Sequence, residues 1–255
     1  NQGVLSPVTA MMNGSSFTIN NMNVELAQAG AQITVTGDGK QGISPAFTIQ
    51  PDVLNYVQIV EGLSGDGTPL DTKSLTADQI LYLHAAGYDQ FDNYISDAEV
   101  TWTTTGDIRP SITIIATSIE FSPTTATVTG VVGTFQATPT DPTATGDVTG
   151  NITVTVGVED HIKILDGVSG NTSEIGQQGL TAGQTLTIHA ANFDGDDNYI
   201  GDIVADWTVS GSIGILSNVS GTTTTLTATT QGNGHIRAYY STLNAEDFTG
   251  QITVN

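Results

Sequence analysis

The stretch that decides the fold is Leu81–Ile108, LYLHAAGYDQFDNYISDAEVTWTTTGDI, because the chain repeats it. The second occurrence is Leu186–Ile213, LTIHAANFDGDDNYIGDIVADWTVSGSI. The alignment extends without a gap from residues 47–108 to residues 152–213, at a constant offset of 105 residues. Self-similarity at a fixed spacing indicates tandem structural units, so two full copies of one module are predicted.

Each copy reads as short strands separated by turns. In the first copy strands are predicted at residues 57–60, 79–85, 99–103, 111–117, 125–129, 133–137 and 150–156, with a Gly/Asp-rich loop at residues 62–74. Late strands of the second copy are predicted at residues 222–229 and 235–240. No amphipathic helix of convincing length is found. Short strands with frequent turn signals are typical of a β-sandwich.

The composition supports an all-β fold. Of 255 residues, 41 are Thr and 29 are Gly, whereas only 12% are charged. Thr is β-branched and fits the pleated surface of a sheet, and Gly supplies turns. The chain has no Cys, which excludes a disulfide framework and thiol chemistry.

The charge balance excludes two classes of partner. The chain contains 5 Lys and Arg and 26 Asp and Glu, which gives a net charge of −21. Nucleic-acid binding depends on cationic side chains that neutralise phosphates, so no nucleic-acid partner is predicted. An anionic membrane surface is disfavoured for the same reason, and no apolar run is long enough for membrane insertion. The chain begins at Asn1 without a leader, so we expect a processed signal peptide or an excerpt of a longer chain.

The pattern D-x-x-D-N-Y-I-x-D, which begins at Asp89 and precedes the strand of Trp102, resembles the bacterial immunoglobulin-like (Ig-like) domains of invasin- and intimin-type surface proteins. The resemblance covers residues 51–255. That family commonly has Gly-Asn where this chain has Asp92-Asn93, which leaves the turn type open. The resemblance implies tandem Ig-like β-sandwiches and an extracellular location at the cell surface.

Three units are predicted: a partial Ig-like segment at 1–50 and Ig-like domains at 51–151 and 152–255. The first unit contains ELAQAGAQITVTGDGKQGISPAFTI from Glu25, which resembles the closing strands of such a domain without its opening half. A half-sandwich exposes open strand edges and apolar side chains. The side chains expected to be exposed are those of Phe17, Ile19, Val24, Leu26, Ile33 and Val35. The junction at residues 150–157 lacks a flexible spacer, so one continuous strand is predicted to join the two full domains.

The Asp-rich turn of the second copy is the main candidate site. Asp194, Asp196 and Asn198 alternate along the chain, and Asp202 follows. Ca²⁺ prefers several oxygen ligands of this kind, so these four residues are a candidate calcium site. Phe91 replaces Asp196 in the first copy, where a ligand is therefore lost. The alternative is a turn without metal, because Asp and Asn also stabilise turns by local hydrogen bonds. No cofactor other than calcium is indicated.

No catalytic site is predicted. His84 and His189 occupy the same position in the two copies, as a structural residue would, whereas a catalytic site rarely recurs in tandem. Their alternation with Leu places them on the face opposite the core. Trp102 and Trp207 are predicted core residues, with sugar stacking as the alternative. Glycosylation is left open at four N-x-[ST] triplets, which begin at Asn13, Asn151, Asn171 and Asn218.

The sequence therefore predicts a non-enzymatic structural subunit of an extracellular surface filament, pilus-like fibre or stalk. Its subunits would self-associate head to tail by strand complementation, with the segment at residues 3–12, GVLSPVTAMM, donated or received. The alternative is a cell-surface adhesin that binds a glycan or a protein ligand. Tyr88, Phe91 and Tyr94 form the modest aromatic cluster that would support such ligand binding.

Overall fold

Alternating apolar and polar residues give strands rather than helices wherever the structure, a computed structural model, describes the chain: Thr18 and residues 22–255. The N-terminal segment, as we call the described residues before 51, contains β1 Gln28–Ala31, β2 Thr34–Gly37, β3 Lys40–Ile43 and β4 Phe47–Ile49.

The first sandwich contains β5 Tyr56–Glu61, β6 Lys73–Thr76, β7 Leu81–Tyr88, β8 Tyr94–Asp97, β9 Val100–Gly106, β10 Thr113–Ala116, β11 Ser118–Phe121, β12 Val131–Pro139, β13 Asp147–Val148 and β14 Ile152–Thr155. The second sandwich contains β15 His161–Asp166, β16 Gln178–Leu180, β17 Thr185–Phe193, β18 Tyr199–Asp202, β19 Ala205–Val209, β20 Gly214–Leu216, β21 Ser220–Gly221, β22 Thr223–Ala228, β23 Gly232–Gly234, β24 Ile236–Tyr240, β25 Ala245–Phe248 and β26 Ile252–Val254. These are tandem Ig-like β-sandwiches.

The two sandwiches share their strand register. In the first, one sheet has the order β10-β9-β12-β14-β6 and the other has the order β11-β7-β5, with β8 added to β7. In the second, β15-β17-β22-β20 faces β21-β19-β24-β25, and β16-β26-β23 forms a third sheet. Val60 pairs with His84 in the first copy, and Leu165 pairs with His189 in the second. The repeat in sequence is thus a repeat in pairing.

Each sandwich has its own hydrophobic core. Leu83, Trp102 and Phe135 are fully buried in the first core, and Ile188 and Trp207 are fully buried in the second. Every second residue of β12 and of β22 faces inward, as a strand between a core and solvent requires. Separate cores explain why one module can be repeated without any change of its pattern.

The N-terminal segment forms two small antiparallel sheets, in which β1 pairs with β4 and β2 pairs with β3. Val24, Leu26 and Ile33 are half-buried, whereas Val35 remains 46% exposed. Phe17, Ile19 and the segment at residues 3–12 lie outside the described residues.

Two predicted features are wrong. Residues 125–129 do not form a strand; they run as a loop in which Thr127 makes one isolated bridge to Thr155. The predicted continuous strand at the junction is also interrupted, because β14 ends at Thr155 and β15 begins at His161. The carboxylates of Asp194 in the second sandwich and Asp78 in the first accept backbone N–H groups of the intervening loop instead. The local alternation of residues does not encode these contacts.

Candidate functional site

The Asp-rich turn of the second sandwich is closed by its own first residue. The carboxylate of Asp194 is buried and accepts hydrogen bonds from the backbone N–H of Asp196 at 3.0 Å and of Asn198 at 2.9 Å. The Nδ2 of Asn198 also donates to it, at 3.0 Å from Oδ2. Asp197 has a φ of 64°, in the left-handed region. Asp tolerates this conformation better than most residues other than Gly and Asn.

The turn of the first sandwich has the same geometry. The carboxylate of Asp89 accepts the N–H of Phe91 at 2.8 Å and the N–H of Asn93 at 3.0 Å, and Asp92 has a φ of 62°. The turn uses only the backbone of Phe91. The exchange of Asp196 for Phe91 between the copies therefore leaves its hydrogen bonding intact.

The turn of the second sandwich also makes hydrogen bonds outside itself. The carboxylate of Asp194 accepts the N–H of Gly157 at 2.8 Å, and the Oδ1 of Asn198 accepts the N–H of Ala126, a residue of the first sandwich, at 2.8 Å. Sequence reasoning missed Ala126 as a partner, since nothing local marks it. The turn thus binds both the junction and the preceding module.

The four predicted calcium ligands do not share one site. Asp194, Asp196 and Asn198 belong to the turn, but Asp202 lies on β18, where its Oδ1 accepts the hydroxyl of Tyr199 at 2.9 Å. The oxygens of Asp194 face N–H donors, whose positive ends oppose a cation. Among the residues that the structure describes, no group of three or more His, Cys, Asp or Glu is placed to hold a metal ion. The turn geometry favours the metal-free alternative; calcium binding stays a prediction.

The donors around Asp194 also set its ionisation. Burial alone would raise the pKa of Asp194, but the hydrogen bonds from Gly157 and Asn198 outweigh burial and keep the pKa below the ordinary 3.8. Asp89 behaves alike: burial opposes ionisation, and the donors on Asn93 and Asp52 lower its pKa. Both turns therefore work as ionised acceptors.

The repeated histidines hold a loop. His84 and His189 lie opposite the main core, as predicted, yet both are buried because a loop folds over that face. The Nε2–H of His189 donates to the carbonyl of Gly170 at 2.8 Å, while Asp202 accepts the N–H of Gly170 at 3.0 Å. We call these two hydrogen bonds to the loop glycine, one from the His and one to the Asp, the His–Asp clasp. It is a scaffold contact.

The first sandwich has the same clasp. His84 donates to the carbonyl of Gly65 at 2.7 Å, and Asp97 accepts the N–H of that glycine at 3.2 Å. Gly65 and Gly170 have φ values of 103° and 89°, which a side chain rarely tolerates. The clasp explains why the His, the glycine and the last Asp of the pattern, Asp97 or Asp202, recur in both copies.

The aromatic residues are mostly structural. Trp102 and Trp207 are buried, and their Nε1–H groups donate to the carbonyls of Ala116 at 3.2 Å and Gly221 at 2.8 Å. Of the predicted ligand-binding cluster, Tyr88 is buried, with its ring 5.9 Å from that of Tyr94. Neither Trp is placed to stack on a sugar.

Tyr88 packs on a second ring as well, that of Tyr56, at 5.3 Å. Phe91 is 37% exposed at the tip of its turn. Burial, together with the hydrogen bond to Asp92, raises the pKa of Tyr56 to about 12. The aromatic side chains of this region thus support the sheet, apart from Phe91.

The glycosylation triplets lie at the surface. Asn151, Asn171 and Asn218 are exposed, and Asn13 lies outside the described residues. No helix in the described part of the chain is long and apolar enough to cross a membrane.

No protein-family description and no curated protein matches the chain. Among solved structures, it is similar to the adhesin FdeC of Escherichia coli, with 15% identity, a TM-score of 0.38, and coverage of 92% of this chain and 76% of that one. The D0–D1 segment of intimin has 14% identity and a TM-score of 0.27, and 72% and 94% of the two chains are covered. Domains 4 and 5 of the S-layer protein SbsC have 14% identity and a TM-score of 0.26, with 66% and 89% covered. The fold assignment rests on the strands and cores described above.

Proposed function

We propose that this chain is a non-catalytic structural subunit of an extracellular surface filament, pilus-like fibre or stalk. Two sandwiches with separate cores follow each other in tandem, and hydrogen bonds rather than a flexible spacer join them. Such an arrangement spans distance and transmits tension. The excess of acidic residues keeps the surface hydrated outside the cell.

The observation that carries the proposal is the open N-terminal segment. Within the part of the chain that the structure describes, β1 to β4 pair only with each other. Apolar side chains remain exposed there: Val35 is 46% exposed, Phe47 is 38% exposed and Ile43 is 59% exposed. Proteins cover open strand edges of this kind by adding a strand, which another chain can supply. A head-to-tail contact of that type does not close on itself, so it propagates as a filament.

In this proposal, a neighbouring subunit completes the N-terminal segment by strand complementation. The test compares the full chain with a truncation that starts at Asp52, by sedimentation velocity and negative-stain electron microscopy. We expect fibres from the full chain and a folded monomer from the truncation. Equal polymerisation of both would show that the N-terminal segment is not the assembly element, and a monomeric full chain would overturn the proposal.

The adhesin alternative has less structural support. Phe91 is the exposed member of the aromatic cluster that could contact a ligand, and both tryptophans are buried. A glycan array probed with the full chain and with Phe91→Ala separates the two functions. Binding lost in the variant would favour the adhesin, whereas the structural proposal expects no specific binding.

A further inference from the structure

The Asp-rich turns of the two sandwiches, residues 89–93 and 194–198, are called the Asp–Asn turns below. They make the same outward contacts although the segments that they contact differ in sequence. In the first sandwich the Oδ1 of Asn93 accepts the N–H of Ala27 at 2.9 Å, across 66 residues of sequence. In the second, the Oδ1 of Asn198 accepts the N–H of Ala126 at 2.8 Å, across 72 residues. Both partners are alanines that belong to the unit before the turn.

The same turns hold the start of their own module. Asp89 accepts the N–H of Asp52 at 2.9 Å, and Asp194 accepts the N–H of Gly157 at 2.8 Å. One carboxylate and one amide therefore tie together three pieces of chain: the turn, the connecting segment and the preceding unit. These outward contacts recur in both copies and are made to backbone groups.

The second junction has an additional support. The carboxylate of Asp78, in the first sandwich, accepts the N–H of Val158 at 2.7 Å. A Cβ on Gly157 would overlap this carboxylate, so a larger residue there would displace Asp78 from Val158. Thr127, next to the docked alanine, bridges to Thr155 at the end of β14. The junction between the two sandwiches is therefore held by contacts from both of them.

We infer that the Asp–Asn turn is a docking site that fixes the orientation of each module relative to the unit before it. The partner it fits is an extended segment with a small residue whose N–H is free, as at Ala27 and Ala126. The internal bonds of the turn orient the docking atom, because the Nδ2 of Asn198 is held by Asp194 and its Oδ1 faces outward. This goes beyond the proposed function and holds whether or not the chain forms filaments.

The test measures the distance between the two sandwiches by double electron–electron resonance. The chain has no Cys, so two spin labels can be placed at Gln136→Cys and Thr227→Cys, both exposed strand positions. We expect a narrow distance distribution for the labelled parent. Asn198→Ala should broaden it, and the matched control Asn93→Ala should leave it narrow, since that turn serves the other junction.

A second variant separates docking from the folding of the turn. Ala126→Pro removes the N–H that Asn198 accepts and leaves every residue of the turn unchanged. Broadening in both Asn198→Ala and Ala126→Pro supports the docking site. Distributions that stay narrow in both variants, a broad parent distribution, or broadening in Asn198→Ala alone would overturn it.

Discussion

Asp92 and Asp197 show that a residue with a side chain can occupy the left-handed position of these turns. Both have left-handed backbone conformations, with φ values of 62° and 64°. The following Asn in each turn is buried, and both its Oδ1 and its Nδ2 are hydrogen-bonded. At this scale, the chemistry of the candidate site is hydrogen bonding to backbone.

Removal of either buried Trp should unfold its own module more easily. We expect Trp102→Ala and Trp207→Ala each to lower the free energy of unfolding by about 3–5 kcal/mol, because an aromatic core position is emptied. Urea unfolding followed by near-ultraviolet circular dichroism measures this. Tyr82→Ala, a partly exposed position on β7, is the control. Equal stability of the Trp variants and the parent would place these rings outside the core.

The ionised Asp194 should make the second sandwich sensitive to acid. Its pKa is lowered in the folded state, so its stabilising effect is fully present above the unfolded value of 3.8 and is lost as the pH falls through the lower folded pKa. We expect Asp194→Asn to reduce stability at neutral pH and to flatten the pH dependence below 3.8. Asp196→Asn, an exposed member of the same turn, is the control. The same acid profile in the parent and in Asp194→Asn would contradict this reading.

At the scale of elements, the His–Asp clasp turns a Gly-rich loop into a cover for β7 and β17. Beneath it lie small secondary clusters, with Val60, Ala86 and Tyr88 in the first sandwich. Leu165, Ala191 and Phe193 form the equivalent cluster in the second. The outer face of this sheet is therefore packed, although a sandwich needs only its inner face to be apolar.

Loss of the clasp should release the loop without unfolding the sandwich. In His189→Leu the carbonyl of Gly170 loses the imidazole donor and keeps only the backbone N–H of Thr172, at 3.0 Å. We therefore expect a cost of about 1 kcal/mol, that of one hydrogen bond. Hydrogen–deuterium exchange of the loop around Gly170 should become faster. The equivalent loop around Gly65 in the same molecule serves as the internal control. Unchanged exchange at Gly170 would show that the loop is held by other contacts.

At the scale of the whole molecule, the calcium hypothesis and the docking site make opposite demands on the second turn. A bound cation would raise the melting temperature of the second sandwich and leave the first nearly unchanged. Because N–H donors surround Asp194, we expect the same melting with calcium and with chelator. Differential scanning calorimetry of the full chain decides this, and a calcium-dependent shift confined to one transition would restore the metal site.

The sequence by itself determined the features that repeat locally. Strand alternation, the Trp positions and the place of the Asp-rich turn follow from residue periodicity and from turn chemistry within a few residues. The resemblance to Ig-like domains rested on the same short stretch around Asp89. The partial Ig-like segment at residues 1–50 was inferred from the resemblance of residues 25–49 to closing strands, and it stays a prediction.

Only the tertiary structure decided what these features bind. Asn198 meets Ala126, and Asp202 meets Gly170, across distances in sequence that no local pattern spans. The predicted calcium set was divided for the same reason: three of its members stay in the turn, while folding aims Asp202 at a loop. Residues 125–129 likewise had strand composition, but the N–H of Ala126 bonds to Asn198 in the next module, and Thr127 makes only an isolated bridge to Thr155. Side-chain type fixes which bonds a residue can make; the packing of distant elements selects among them.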